Sequence, residues 1–245
     1  MSDAGAPGPS TKGLKARTVA LAKRAYMGVY TNPVVARTII NQFTRLYYQT
    51  PVPVRTWHDT TWLGHPVLKT PLDLWNYQEI LVERRPDVIV ECGTAGGGSA
   101  LFLASIMDML GHGRIVSIDL KPNPGRPSHD RVTYLVGSST DPAIFTDVER
   151  FVAGADRVMV ILDSDHSKAH VLDELRLYHP LVSPGDFLVV EDTCVNGHPV
   201  APQHGPGPME ALDAFMRENR QFVIDPRDRK FLMTFNPHGY LRRVE

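Results

Sequence analysis

Cysteine is scarce. The chain has only Cys92 and Cys194, too few for the disulfide framework of a small secreted fold, so a reducing, cytoplasmic setting is expected. A surplus of one charge is missing too. Lys and Arg number 26 against 27 for Asp and Glu, and the basic footprint that a nucleic-acid partner needs is therefore absent. No apolar run approaches the roughly 20 residues that cross a bilayer, and no internal repeat is present. Met1–Lys12 is small and polar, carries Pro and Gly, and lacks the hydrophobic core of a signal peptide. It is expected to be a disordered leader.

What is present is an ordinary globular composition, 42% hydrophobic over 245 residues, enough for one substantial core. Leu14–Tyr48 reads as helical, with Pro33 as a break and a second helix over Val34–Leu46. Gln49–Lys69, with Pro51, Pro53, Pro66 and two tryptophans, reads as an irregular connection. The expected division is a leader over 1–12, a helical extension with its connection over 13–65, and the main domain over 66–245. Pro71–Glu83 is helical, with proline in the first turn. Apolar runs at Val88–Glu91, Ile115–Ile118, Val132–Val136, Val158–Leu162 and Phe187–Val190 then alternate with amphipathic segments at Ser99–Leu110, Pro142–Val152, Lys168–Leu181 and Pro208–Arg217. Five near-continuous apolar strands with helical crossovers imply an α/β fold with a mostly parallel sheet. Phe222–Ile224, Phe231–Phe235 and Tyr240–Arg243 follow with short links and imply an antiparallel C-terminal edge.

Chemistry concentrates at the ends of these strands. Val88–Glu91 runs into Cys92-Gly93-Thr94-Ala95-Gly96-Gly97-Gly98-Ser99 and then a helix. Glycines allow a close approach of backbone to ligand, and the helix start offers free N–H groups. The next strand ends in Asp119, an acidic position suited to ribose hydroxyls. A plain strand-to-helix turn is the bland alternative. The glycines do not give the G-x-G-x-x-G spacing of a pyrophosphate site, and Glu91 would repel phosphates while suiting an ammonium. S-adenosylmethionine is thus favoured over NAD, and an NAD-dependent oxidoreductase is the rival. Cofactor-binding candidates are Glu91, Gly93, Ala95, Ser99, Asp119, Asp163, and Ser138 and Ser139 at adenine depth.

A second set, Asp163-Ser164-Asp165-His166, follows the fourth strand, and Glu191-Asp192 follows the fifth. Carboxylates converging at one sheet edge call for a cation, and an all-oxygen set favours Mg²⁺ or a similar hard ion. Helix capping is the competing role, above all for Ser164 and Asp165. His170, one turn beyond His166, reads as a helix-face histidine. Trp57, Trp62, Trp75 and Tyr77 are candidates for stacking on a sugar or for plain packing. Asn196, His198 and the Gly205–Pro208 loop are candidate acceptor contacts. Arg227, Arg229 and Lys230 would meet an anionic acceptor or only solvent.

Residues 91–99, Ile161–His166 and Val190–Asp192 resemble the cephalosporin hydroxylase/rhamnosyl O-methyltransferase family, which is similar in fold to the metal-dependent catechol O-methyltransferases. Asp73–Glu79, Asn196–Pro199 and Gly205–Pro208 strengthen the likeness, which covers roughly 66–243. It implies a Rossmann-like class I methyltransferase fold using S-adenosylmethionine and Mg²⁺ or another divalent ion. Asp163, Glu191 and Asp192 match the metal-ligand positions, and His166 stands where the catechol enzymes carry a lysine base. Within the family the chain looks closest to actinobacterial sugar O-methyltransferases. The implied acceptor is the 1-OH of a mannoside or oligomannoside in methylmannose polysaccharide assembly, with a rhamnoside as the alternative. A homodimer is left open. An iron oxygenase would need a second well-placed histidine, and a non-catalytic binding scaffold would not need the acidic set with His166.

Overall fold

The computed structural model describes residues 11–50 and 56–244. Residues 1–10, most of the expected leader, lie outside the described residues. Two compact units divide at Phe43/Thr44. In the first, α1 (Thr11–Thr31) leads to Asn32, which ends it and caps the start of α2 (Pro33–Gln49): Asn32 Oδ1 accepts from Val34 N at 2.9 Å.

In the second unit the connection before the main sheet is not wholly irregular. Trp57–Asp59 form a single 3₁₀ turn. β1 (Thr61–Trp62) and β2 (His65–Pro66) pair as a hairpin, turning through Leu63 and Gly64, both at positive φ. Helix α3 (Pro71–Arg84) starts with proline and is capped by Thr70, whose hydroxyl accepts from Leu72 N.

The apolar runs become β3 (Val88–Cys92), β4 (Arg114–Asp119), β5 (Val132–Val136), β6 (Val158–Leu162) and β7 (Phe187–Val190). Every residue of β3, β6 and β7 is buried, as expected for parallel strands covered on both faces. Alternate residues point to opposite sides. Val88, Val90, Val158 and Val160 join one core with α5 (Pro142–Val152), α6 (Lys168–Tyr178) and α7 (Pro208–Glu218), whereas Ile89, Met159 and Ile161 join another with α3 and α4 (Gly98–Leu110). Each such side chain contributes about 1.5–3 kcal/mol by leaving water.

The main sheet has the order β5-β4-β3-β6-β7-β9-β8, where β8 is Phe222–Ile224 and β9 is Tyr240–Arg243. Strands β3 to β7 run parallel to one another, and β9 is antiparallel to both β7 and β8. The chain leaves β3 toward β4 on one side and returns to β6 on the other, opening a crevice at the strands' C-terminal ends. Phe231–Phe235 is not a strand. Its backbone is drawn elsewhere: Phe235 N donates to Asp73 Oδ2 at 2.9 Å, Asn236 N donates to Thr234 Oγ1, and Leu232 adopts φ +67°.

Candidate functional site

The glycine turn is built by exclusion. Gly93 has φ +101°, and a β-carbon there would collide with the Asp163 carbonyl at the end of β6. Only glycine here lets the end of β3 pass this close to the residue that follows β6. Asp119 Oδ2 accepts from Ala95 N at 2.8 Å and pairs with Arg126 Nη2 at 3.0 Å, while Arg126 Nε donates to the Ala95 carbonyl at 3.0 Å. The turn and the end of β4 are thereby tied into one wall.

That wall belongs to a cavity of about 650 Å³ over the strand ends. Among the sequence-derived cofactor candidates, Gly93, Ala95, Ser99, Asp119, Ser138, Ser139 and Asp163 line it. Glu91 does not. It is fully buried beneath the turn, where it accepts from Ser99 Oγ and Ser117 Oγ, each at 2.5 Å. Burial raises its pKa, against the pull of Lys69 and the two hydroxyls. Its route to a ligand is through Ser99, the one of its two hydroxyl partners that faces the cavity.

The far end of the cavity is crowded with charge. Lys69 Nζ lies 2.5 Å from Asp163 Oδ2 and 2.6 Å from Glu191 Oε1 and is almost wholly buried. Burial works to lower the Lys69 pKa, but Asp163, Glu191 and Glu91 outweigh it and raise it. Tyr77 donates to Glu191 Oε1 from the other side. His166 Nε2 is 3.3 Å from Asp163 Oδ1, and its Nδ1 is 3.5 Å from Asp192 Oδ2. Although burial lowers the His166 pKa, these carboxylates push it up to about 9. Asp163 is held low by Lys69 and His166 in spite of burial, whereas burial lifts Asp192 to about 6 and Glu191 to about 8.

Asp163, His166 and Asp192 each offer one ligand atom, all within 4.8 Å of one another. An oxygen-rich set of this kind fits a hard divalent ion. Glu191, third in the set expected from the sequence, is taken up by Lys69 and Tyr77 instead and does not line the cavity.

The expected acceptor residues are scattered. Trp62 packs edge-on against Phe102 and donates to Ser105. Trp75 is exposed and donates to Glu79. Asn196 Nδ2 and His198 Nε2 both meet Glu210 Oε1, at 3.0 and 2.9 Å. None of the four lines the cavity. Arg227 and Lys230 pair with Glu83 and Glu79.

Trp57 does reach the cavity, together with Tyr48, which sequence reasoning missed. The Trp57 ring stacks on His58 and on Tyr48, so its partners are aromatic already. The pKa of Tyr48 is raised by burial and by Asp192, which puts its phenol beside the acidic end. His170, expected on a helix face, also lines the cavity. Lys69 was missed because a single lysine before a helix cap carries no periodic or motif signal.

A family model described as rhamnosyl O-methyltransferase/CmcI matches residues 54–244. A rhamnosyl O-methyltransferase of Mycobacterium leprae (strain TN) is 40% identical over 212 residues, covering 84% of this chain and 91% of the relative. One of Mycobacterium tuberculosis (strain ATCC 25618 / H37Rv) is 41% identical, covering 84% and 85%. Two solved structures of CmcI share the fold at a TM-score of 0.61. The apo form is 24% identical and covers 82% of this chain and 83% of its own; the form with Mg and SAM is 22% identical and covers 82% and 84%.

Proposed function

The chain belongs to the rhamnosyl O-methyltransferase/CmcI family and is an O-methyltransferase; from that premise we propose that it moves the methyl group of S-adenosylmethionine onto a sugar hydroxyl, with a divalent ion held at the acidic end of the cavity. One observation carries this reading. The glycine turn with Asp119 and the Asp163/His166/Asp192 cluster open into the same cavity.

When bound, the cofactor supplies a methyl group on an electrophilic sulfonium, and the ion supplies positive charge that eases loss of the hydroxyl proton. The chain's own residues do the rest. Ala95 and Ser99, which line the glycine turn, would hold the cofactor, and Asp119 would receive its ribose. Asp163 and Asp192 would hold the ion. The third position is contested between His166, already beside both carboxylates, and Glu191, which would first have to leave Lys69. If Glu191 takes it, His166 is free to accept the acceptor's proton as the C–O bond forms and the C–S bond breaks.

His166 can do so only when neutral. In the metal-free protein its pKa of about 9 keeps it protonated at pH 7. Two positive charges among Asp163 and Asp192 would cancel the field that holds that proton. The base role therefore depends on the ion.

The acceptor is proposed to be the 1-OH of a mannoside or oligomannoside, in methylmannose polysaccharide biosynthesis. The relatives' names favour a rhamnoside as the second reading. In either case Tyr48 and Trp57 line the same cavity as Asp192. Cytoplasmic residence is part of the proposal: both cysteines are free and buried, and among the described residues no helix is long and apolar enough to cross a membrane.

Titration calorimetry tests the cofactor. S-adenosylmethionine and S-adenosylhomocysteine should bind, and NAD should give no heat. Tight NAD binding with no response to either sulfur compound would return the site to an oxidoreductase.

A further inference from the structure

Two serines of the cavity wall answer to one buried carboxylate. Ser139 follows β5, Ser164 follows β6, and Glu174 stands on α6. Ser139 Oγ donates to Glu174 Oε1 at 2.5 Å, and Ser164 Oγ donates to the same oxygen at 2.6 Å. Both serines line the cavity, while Glu174 is fully buried behind them and does not. His170 stands alongside, with Nε2 3.1 Å from Ser139 Oγ and 3.4 Å from Glu174 Oε1. Its pKa is raised chiefly by its hydrogen bond to Glu174.

A hydroxyl has one proton and two lone pairs. A serine facing a cavity ordinarily rotates to donate or accept as its ligand demands. Here each proton is committed to an anion that has none to return. The remaining lone pairs can only accept, so this stretch of wall is polarised in one direction. A ligand group meeting it must be a donor. Ser138, one residue earlier, shares its hydroxyl with Thr140 instead and keeps its freedom.

In the sheet order β5 lies next to β4, so Ser139 follows directly on from Asp119 along the wall. With the ribose at Asp119 and the reacting sulfur toward Asp163, the base would fall at Ser139 and Ser164. We infer that Glu174 is a positioning residue that fixes Ser139 and Ser164 as paired acceptors for the exocyclic amine of adenine, so that a purine with oxygen at that position is rejected. The inference rests on the S-adenosylmethionine reading of the cavity and specifies how that site recognises its base. The rejection follows because a 6-oxo purine would set a lone pair against two lone pairs, leaving buried polar atoms unpaired.

Calorimetry on the full chain with S-adenosylhomocysteine and S-inosylhomocysteine reads this directly. The native protein should prefer the adenine compound by more than about tenfold. In Glu174→Leu nothing accepts the two serine protons, which are free to turn outward to a ligand, and the preference should shrink to within about threefold. A merely structural Glu174 would weaken both compounds equally and leave the ratio unchanged, and that result would overturn the inference. Should Glu174→Leu fail to fold, the double variant Ser139→Ala, Ser164→Ala carries the same test: loss of the preference supports the inference and its retention refutes it. Native protein that binds both compounds alike also refutes it. No binding of S-adenosylhomocysteine at all would instead remove the cofactor reading beneath it.

Discussion

The two ends of the cavity solve opposite problems. At the β4–β5 end the polar groups are matched: Asp119 with Ala95 and Arg126, Ser139 and Ser164 with Glu174. These bonds exist before any ligand arrives, so this end is preorganised to read hydrogen-bonding groups. At the β6–β7 end, Asp163, Glu191 and Asp192 face one lysine and one histidine. Burial there lifts two of the three carboxylates well above their ordinary range, while the carboxylates around His166 hold a proton on it. At the first end the groups that face the cavity already have partners in the protein; at the other, three carboxylates crowd around two cationic side chains. A fold that pairs its recognition groups in advance and crowds carboxylates at the reacting centre, two of them lifted above their ordinary range, is ready for a cation.

Substitutions at the charged end should have the largest effects. Asp163→Asn or Asp192→Asn should lower Mn²⁺ affinity by more than about 100-fold, read by electron paramagnetic resonance, and abolish turnover. His166→Ala should cut kcat by about 10²–10⁴-fold while the affinity for S-adenosylhomocysteine stays unchanged. If that variant loses Mn²⁺ as completely as Asp163→Asn does, His166 is a ligand and cannot be the base. At the matched end the effect is smaller. Asp119→Ala should weaken S-adenosylhomocysteine by about 1.5–3 kcal/mol and leave Mn²⁺ affinity alone. A variant that altered both would show that the two ends are not separable.

The difference between the ends also explains what could be read from the chain beforehand. Strands β5, β6 and β7 were legible to the residue because period and burial agree along them. The strand expected at Phe231–Phe235 failed for a non-local reason: its donors go to Asp73, some 160 residues earlier in sequence. Asp119, Asp163, His166 and Asp192 stood out because each follows a strand end, where parallel sheets expose their functional groups. Lys69 and Glu174 did not. A lysine before a helix cap and a glutamate within an amphipathic helix look like surface residues until three elements close around them. Trp62 and Trp75 were chosen by residue type alone, and their partners, Ser105 and Glu79, are of the ordinary packing and surface kind.

The proposal that this chain is a metal-assisted sugar methyltransferase can be put to one measurement. The full chain would be incubated with methyl-labelled S-adenosylmethionine and short mannosides or rhamnosides, with Mg²⁺ present or removed by EDTA, and label in the sugar counted. Label should enter a sugar hydroxyl only with the ion present, and restored Mg²⁺ should restore it. Transfer at full rate in EDTA would reduce the acidic end to a polar lining. No transfer to any sugar by protein that binds S-adenosylmethionine tightly would contradict the account at its centre.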